Sequence, residues 1–274
     1  MHSLPHSLFS LRERELIRRV LDIPNMYILE FNEALKTLTP SQFWRLTRER
    51  FKVDGLVMGR DFHFGLNRAG NADYLARLAR HDGLERIIIA DLVNKPKYSS
   101  SCVRKMIAAG DVEGAREALG YPCFMMGKII HGYQRGRTMN FPTANIDIEG
   151  RIIPADGVYC AAVLVNGEWH CGAVSVGNNP TFRDVKNKRM EVYILNFAGN
   201  IYGDEMAVFF LGRVRDMKAF ADKDALMMQI TRDTQRCREI YDAEIIIPET
   251  RVFLDGAKSI YAAHTLTPEI IRLV

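Results

Sequence analysis

The chain has 274 residues, of which 47% are hydrophobic and 26% are charged, and this composition predicts a folded globular protein with one large domain or two ordinary ones. Its formal net charge of +4 is too weak and too dispersed to indicate nucleic-acid binding, although it would suit a protein that handles phosphorylated small molecules. No apolar segment approaches the ~20 residues that span a bilayer, and the first fifteen residues lack the order of a signal peptide. We therefore expect a cytoplasmic protein that binds neither nucleic acid nor membrane.

The first 120 residues alternate helical and strand patterns. Helical spacing occurs in "LRERELIRRVL", in "TPSQFWRLTRERF", which begins with a capping threonine and a proline, and in "ADYLARLARHDG". Strand patterns occur in "NMYILEF", "VDGLVMG" and "RIIIADLV". This alternation predicts an α/β domain over residues 1–120 with a parallel sheet, whose ligands gather beyond the carboxyl ends of its strands.

From about Met125 the pattern changes to successive strands: "MMGKII", "GVYCAAVLV", "WHCGAVSVG", "RMEVYILNF" and "EMAVFFLG". This succession is typical of a β-barrel or sandwich, and Asn166-Gly167 between two of the strands predicts a two-residue hairpin. A helix follows, with Asp222 or Asp224 as its cap, and the last thirty residues predict an added strand or helix pair. We assign residues 121–274 to a second domain.

The segment "NFPTAN" places Thr143 and Asn145 one residue apart, so in an extended strand both side chains point to the same side. Their neutral oxygen atoms can share a magnesium ion whose other ligands are ATP oxygens and water. An ordinary turn would use the same residue types, and this alternative stays open.

The preceding loop, "HGYQRGRTMN", contains Gly132, Gly136 and Arg137. Glycines allow the backbone to approach phosphate oxygens, and an arginine supplies paired donors to the same anion. The G-x-x-x-x-G-K-[ST] spacing is absent, which argues against a Walker-type phosphate loop.

In "MEVYILNF" the period-two alternation puts Glu191 on one strand face with Tyr193, Leu195 and Phe197. An acid beside apolar side chains is a candidate general base, although the first residue of a strand also commonly projects into solvent. In "RVRDMKAF", Arg213 and Arg215 share a strand face and are candidates for contacts with a phosphate or a flavin, a role that surface arginines usually do not have.

In their order and spacing, "GKIIHGYQRGRTMNFPTANI", "DGVYCAAV", "VSVGNNPTF", "MEVYILNF", "NIYGDEMAVFFLGRVRDMKAF" and "LMMQITRD" resemble the riboflavin kinase domain of the bacterial bifunctional riboflavin kinase/FAD synthetase family. The resemblance covers roughly residues 124–240. It implies a six-stranded antiparallel barrel with a closing helix. It also implies transfer of the ATP γ-phosphoryl group to the 5′-hydroxyl of riboflavin, giving FMN and ADP.

The resemblance also implies roles for individual residues. Thr143 and Asn145 match the family's magnesium- and ATP-binding pair, with Pro142 beside them, and Glu191 matches its catalytic base. The ATP-covering flap contains Gly132, Gly136 and Arg137, and the flavin region contains Arg215 and Phe220. The family usually has glycine where this sequence has Asn140. The resemblance therefore leaves the affinity of this chain for the nucleotide open.

The first domain resembles the FMN adenylyltransferase domain of the same family in part. "LVMGRDFHFG" matches its flavin- and nucleotide-contacting segment, and "SSSCVR" matches its S-S-T-x-I-R motif. The residues that correspond are Gly59, Asp61, Phe62, Ser99, Ser100 and Arg104. The family's G-x-F-D-G-x-H-x-G-H-type loop does not occur in the sequence, so we expect a truncated Rossmann-like nucleotidyltransferase domain with doubtful adenylyltransferase activity.

Three functions are compatible with these patterns. The main expectation is a riboflavin kinase with magnesium as cofactor and ATP as co-substrate. The alternative is a bifunctional riboflavin kinase/FMN adenylyltransferase. A non-catalytic flavin- or nucleotide-binding regulator is disfavoured by the joint presence of Thr143, Asn145 and Glu191. The sequence does not determine the oligomeric state.

Overall fold

The computed structural model of the protein describes residues 7–90, 99–130, 141–147, 150–177, 189–262 and 270–271. The helices in these ranges are α1 Leu11–Val20, α2 Glu33–Lys36, α3 Pro40–Arg50, α4 Ala72–His81, α5 Ser100–Ala109, α6 Val112–Leu119, α7 Lys223–Glu244 and α8 Pro248–Ala262, with a short 3₁₀ turn at Leu66–Arg68. The strands are β1 Ile28–Leu29, β2 Leu56–Gly59, β3 His63–Phe64, β4 Gly70–Asn71, β5 Ile87–Ala90, β6 Phe124–Ile130, β7 Thr143–Ile146, β8 Gly157–Val165, β9 Glu168–Gly177, β10 Arg189–Ile194, β11 Glu205–Arg215 and β12 Ile270–Ile271.

The chain forms two compact units. The barrel unit comprises Met1–Met26 and Tyr98–Pro268, and the α/β unit comprises Tyr27–Lys97 and Glu269–Val274. These packing units differ from the division at residue 120 because α1, α5 and α6 belong to the barrel unit. The division at residue 120 therefore stays a prediction about the domains of the sequence.

Six strands of the barrel unit close into an antiparallel barrel in the order β10-β7-β6-β11-β8-β9. Between β8 and β9, Asn166 and Gly167 both adopt positive φ values, of 50° and 75°, as a primed two-residue hairpin requires. The predicted six-stranded barrel and its hairpin are confirmed.

Both faces of strand β8 are buried. All nine residues of β8 are buried, and alternate side chains point inward and outward along it. Tyr159 and Val163 join the interior core, whereas Cys160 and Leu164 join an outer apolar cluster with Cys237 of α7. The helices therefore cover part of the outer face of the barrel, and another part of that face carries polar side chains.

Helix α7 has Asp222 as its cap, with the Asp222 side chain accepting a hydrogen bond from the Ala225 backbone N–H at 2.8 Å. This helix is the closing helix that the sequence predicts. Within the last thirty residues, the described part contains helix α8 and the short strand β12. Among the described residues, no helix has the length and apolar character needed to cross a membrane.

Helix α1 is tied to the barrel through a carboxylate that is completely buried. Glu13 completes a capping box with Ser10, and one of its carboxylate oxygens accepts a hydrogen bond from the Met126 backbone N–H at 2.6 Å. The other oxygen pairs with Arg151. Because both oxygens are used, this buried charge fixes the position of α1 on β6.

The α/β unit contains the predicted parallel pairing, between β2 and β5. Its core includes Trp44 of α3, Met58 of β2, Phe64 of β3 and Leu75 of α4. Helix α3 begins after the Thr39 cap and has a proline at its first position, as its sequence indicates. Strand β1 has only two residues, fewer than "NMYILEF" predicts, and it pairs in parallel with β12.

Replacing Glu13 by alanine should lower the free energy of unfolding by about 3 kcal/mol or more, because the variant leaves Arg151 buried without its charge partner and removes the carboxylate that accepts from the Ser10 backbone N–H in the capping box. Urea denaturation followed by circular dichroism measures the change. Glu239→Ala is the matched control, since Glu239 pairs with Arg236 on the exposed surface of α7. Equal, small losses in both variants would contradict this role of Glu13.

Candidate active site

One row of side chains crosses the outer face of the barrel from β7 to β11. Asn145 lies opposite Glu191, and Glu191 lies opposite Ser175 on its other side. Ser175 lies opposite Val158, which in turn lies opposite Arg215. Residues that are directly opposite in a sheet point to the same face, so the barrel register aligns these five side chains.

The direction of this row follows from the residues between its members. Ala144, Val174 and Val192 each neighbour a row residue along their strands, and all three belong to the interior core. Because side chains alternate along a strand, the row points outward. The apolar interior therefore determines which polar groups reach the outer surface.

Thr143 and Asn145 lie on this outer face of β7. Thr143 is opposite Tyr193 in β10 and is half-buried, whereas Asn145 has only 6% of its surface exposed. The Tyr193 ring meets the Phe141 ring edge-on, with 5.3 Å between the ring centroids. The two candidate metal ligands thus sit beside an aromatic wall, on the strand next to Glu191.

Glu191 is half-buried and lies in β10 with Asn145 on one side and Ser175 on the other. The expected alternation does not continue to Leu195 and Phe197, because β10 ends at Ile194. A turn with Asn196 at a φ of 57° follows, which interrupts the period of two. Phe197 packs against the interior core, so the face expected for it is wrong, while Tyr193 shares the face of Glu191.

Arg215 is bound by helix α7. Its Nε donates to both carboxylate oxygens of Asp233 at 3.0 Å, and its Nη2 donates to one of them at 2.7 Å. The Asp233 side chain is 6% exposed and the Arg215 side chain 18% exposed. A charged, forked contact with so little solvent is strong and directional, so Asp233 holds the guanidinium in one orientation.

The segment from Arg215 to Phe220 approaches Glu191. The Ser175 hydroxyl contacts the Met217 sulfur at 3.8 Å, and Ser175 is the neighbour of Glu191 in the row. The Arg215 guanidinium lies over the Phe220 ring, 5.7 Å from its centroid. The candidate base and the candidate flavin residues are therefore connected through Ser175 and Met217.

Arg213 has a structural position. Its backbone N–H donates to the Glu113 carboxylate at 2.8 Å, and its guanidinium donates to the Ala109 and Asp156 carbonyls at 3.2 and 3.0 Å. These bonds attach α5 and α6 to β11. Arg213 is opposite Tyr159 of the interior core, whereas Arg215 lies beyond a register shift and is opposite Val158, so the strand face expected to be shared by the two arginines is wrong. Arg213 is therefore a packing residue of the barrel unit.

Some predicted site residues lie outside the described ranges, namely Gly132, Gly136, Arg137 and Asn140. Pro142 is described and immediately precedes β7. The part of the site that the structure describes therefore consists of strand residues and the segment that follows β11.

The residues matched to the adenylyltransferase segments fall into both compact units. Gly59 ends β2, and Asp61 and Phe62 follow it, with the Phe62 ring stacked on Phe64 at a centroid distance of 5.4 Å. These residues lie at the carboxyl end of a parallel strand, where such sheets bind ligands.

The serine motif belongs to the barrel unit. Ser99 caps α5 by accepting a hydrogen bond from the Cys102 backbone N–H at 3.3 Å, and Ser100 is the first residue of that helix. One turn further along, the Arg104 guanidinium donates to the Ser101 hydroxyl at 3.2 Å. The motif thus forms a helix start with a nearby cation.

Sequence reasoning missed two residues of this region, Ser175 and Asp233. Asp233 lies within an amphipathic helix, where an acid normally faces solvent, and its burial becomes apparent only when α7 packs on the barrel. Ser175 alternates with apolar residues in β9, which gave a weak signal for an outward position. No sequence pattern links either residue to Glu191.

The donor set fits a magnesium ion in part. Thr143 supplies a hydroxyl and Asn145 an amide oxygen from one strand face, and magnesium prefers such oxygen atoms while retaining water and phosphate ligands. Within the described ranges, no cluster of three or more His, Cys, Asp and Glu side chains is suited to a metal. A site at Thr143 and Asn145 would therefore depend on oxygens from a nucleotide.

Comparisons with known proteins identify the class of this chain. Residues 119–241 match the family model described as riboflavin kinase, and residues 2–102 match the model described as FAD synthetase. The bifunctional riboflavin kinase/FMN adenylyltransferase of Listeria monocytogenes is 36% identical over 224 residues, covering 81% of this chain and 71% of the relative. The protein of that name from Escherichia coli strain K12 is 31% identical over 235 residues, covering 84% and 75%.

The chain belongs to the bifunctional riboflavin kinase/FMN adenylyltransferase family. A crystal structure described as a macrolide-efflux protein from Streptococcus pneumoniae is 32% identical and superposes with a TM-score of 0.75, covering 84% of this chain and 75% of that one. The comparisons favour the bifunctional alternative over the main expectation of a riboflavin kinase alone.

Replacing Arg215 by methionine should lower the free energy of unfolding by about 3 kcal/mol or more, because Asp233 would remain buried without its charged partner. Urea denaturation monitored by circular dichroism measures the loss. Arg236→Met is the matched control on α7, since the Arg236 side chain is 60% exposed. A loss no larger than that of the control would contradict a stabilising Arg215–Asp233 pair.

Proposed function

We propose that the protein is a riboflavin kinase that transfers the γ-phosphoryl group of ATP to the 5′-hydroxyl of riboflavin. The observation that carries this proposal is the barrel register, which aligns Asn145 and Glu191 on the outer face in a chain of this family. Phosphoryl transfer to a hydroxyl uses a metal ion on the phosphates and a group that accepts the hydroxyl proton. Two side chains with oxygen donors beside a carboxylate suit these two tasks.

Thr143 and Asn145 would hold a magnesium ion together with ATP oxygens. When bound, the ion would neutralise negative charge on the phosphates. The row position of Glu191 suits a base that accepts the proton of the riboflavin 5′-hydroxyl as that oxygen attacks phosphorus. Most of the rate enhancement would come from positioning the two substrates in line, because phosphoryl transfer needs little covalent chemistry from the protein.

Arg215 and Phe220 would contribute to the flavin site. They lie on the segment that approaches Glu191 through the Ser175–Met217 contact. A flavin held by this segment would place its ribityl hydroxyl toward β10. Gly132, Gly136 and Arg137 would contribute to ATP binding, a role that rests on the family resemblance.

A second activity, adenylylation of FMN to FAD, is favoured by the match of residues 2–102 to the FAD synthetase model and by the names of the relatives. The residues proposed for it are Gly59, Asp61, Phe62, Ser99, Ser100 and Arg104. Their positions at a strand end and at a helix start suit contacts with a nucleotide.

Purified protein incubated with riboflavin and Mg-ATP should form FMN, because the barrel unit contains the proposed kinase residues. Chromatography separates riboflavin, FMN and FAD. A parallel reaction that starts from FMN and ATP, with pyrophosphate release measured, tests the second activity directly. FAD in both reactions supports the bifunctional protein, whereas FMN alone limits the activity to the kinase. Bound flavin without any product would refute both and indicate a non-catalytic flavin-binding protein.

Glu191→Gln should lower the turnover number for FMN formation by about two orders of magnitude or more, because glutamine cannot accept the hydroxyl proton. The affinity for Mg-ATP should change little. Steady-state kinetics and nucleotide titration measure the two effects. Glu239→Gln, on the exposed side of α7, is the charge-matched control. An unchanged turnover number for Glu191→Gln would remove it from the role of base.

A further inference from the structure

Four side chains form a continuous hydrogen-bonded chain between α7 and the segment that follows β11. Lys218 Nζ donates to Gln229 Oε1 at 2.6 Å, and Gln229 Nε2 donates to Asp233 Oδ1 at 2.8 Å. Asp233 in turn accepts the three hydrogen bonds of Arg215. A lysine can only donate and a carboxylate can only accept, so this chain fixes the orientation of the Gln229 amide.

Both cations of this chain lie over the same aromatic ring. The Lys218 ammonium is 5.2 Å from the Phe220 ring centroid, and the Arg215 guanidinium is 5.7 Å from it. Two cations at one ring, each held by a partner on α7, restrict the conformations of the short segment that connects them. Helix α7 therefore holds this segment at both of its cationic residues.

The same segment reaches the row that contains Glu191. Met217 lies between the two tethered cations in sequence and contacts Ser175, whose strand neighbour is Glu191. A change in the tether at Gln229 or Asp233 would therefore move a wall of the site beside the candidate base. The strand pair that carries Asn145 and Glu191 is held by its own backbone ladder and not by this tether.

We propose that Asp233 and Gln229 are positioning residues for the flavin. They hold Arg215, Lys218 and Phe220 in the arrangement that receives the flavin. Replacing them should not change the positions of the nucleotide-binding residues on β7. This inference rests on the proposed function, since it assigns the flavin to the segment from Arg215 to Phe220. It extends that function to two helix residues that do not themselves touch the substrate.

The test compares riboflavin binding with ATP binding in four proteins: the wild type, Asp233→Asn, Gln229→Met and the control Arg236→Gln. The control changes an exposed residue of the same helix whose partner is Glu239. Riboflavin affinity is measured by quenching of flavin fluorescence in the presence of Mg-ADP, and Mg-ATP affinity by isothermal titration calorimetry in the absence of riboflavin. Circular dichroism establishes that each protein is folded.

Asp233→Asn should raise the riboflavin Kd by about tenfold or more, the loss expected when hydrogen bonds to a charged group are weakened. Gln229→Met should raise it by a smaller factor, because it releases Lys218 and leaves the Arg215–Asp233 pair. The Kd for Mg-ATP should stay at the wild-type value in both. A folded Asp233→Asn protein with wild-type riboflavin affinity would overturn the proposal, as would an equal loss for riboflavin and ATP.

The design separates this inference from the proposed kinase activity. If Asp233→Asn fails to fold, Gln229→Met decides the question, since it removes no charge from the interior. If the wild type binds riboflavin but forms no FMN, the kinase proposal fails and the Kd values still decide the role of α7. A wild type that does not bind riboflavin at all would overturn both.

Discussion

The register of the closed barrel is the constraint on which the candidate site depends. Val192 of β10 and Ala144 of β7 fill the interior, so Glu191 and Asn145 must point outward and lie opposite each other. A shift of one residue would exchange the two faces of a strand, placing a carboxylate in the apolar interior and exposing a valine. The cost of burying that charge makes the register specific. The position of the site is thus a consequence of packing inside the barrel.

Two buried carboxylates attach helices to the barrel, and the two attachments differ in their relation to the site. Glu13 fixes α1 on β6 by satisfying a backbone N–H and Arg151. Asp233 fixes the end of β11 against α7 by satisfying Arg215 and Gln229. Both carboxylates accept hydrogen bonds from protein groups in place of water, because a buried charge without partners is costly. The first contact involves none of the proposed site residues, whereas the second holds Arg215 and so connects the closing helix to the proposed flavin segment.

Local patterns predicted the elements well where the sequence contains its own boundary signal. The Asn166-Gly167 hairpin, the Thr39 cap with its proline and the Asp222 cap are all where their residue types indicate. Prediction failed where the boundary depends on a turn without such a signal. Leu195 and Phe197 continue an apolar alternation in sequence, but the backbone turns at Asn196 and ends β10.

The sequence by itself determined the succession of strands, the closing helix and the placement of Thr143 and Asn145 on one side of their strand, because periodicity and turn chemistry act over a few residues. The closed six-stranded barrel was implied by the family resemblance. Only the tertiary structure decided that α1, α5 and α6 pack in the barrel unit, that Ser175 adjoins Glu191, and that Asp233 is buried against Arg215. These contacts join residues that are distant in the chain. Their partners are selected by the closure of the barrel and the burial of the helix faces, and neither is a property of any short segment.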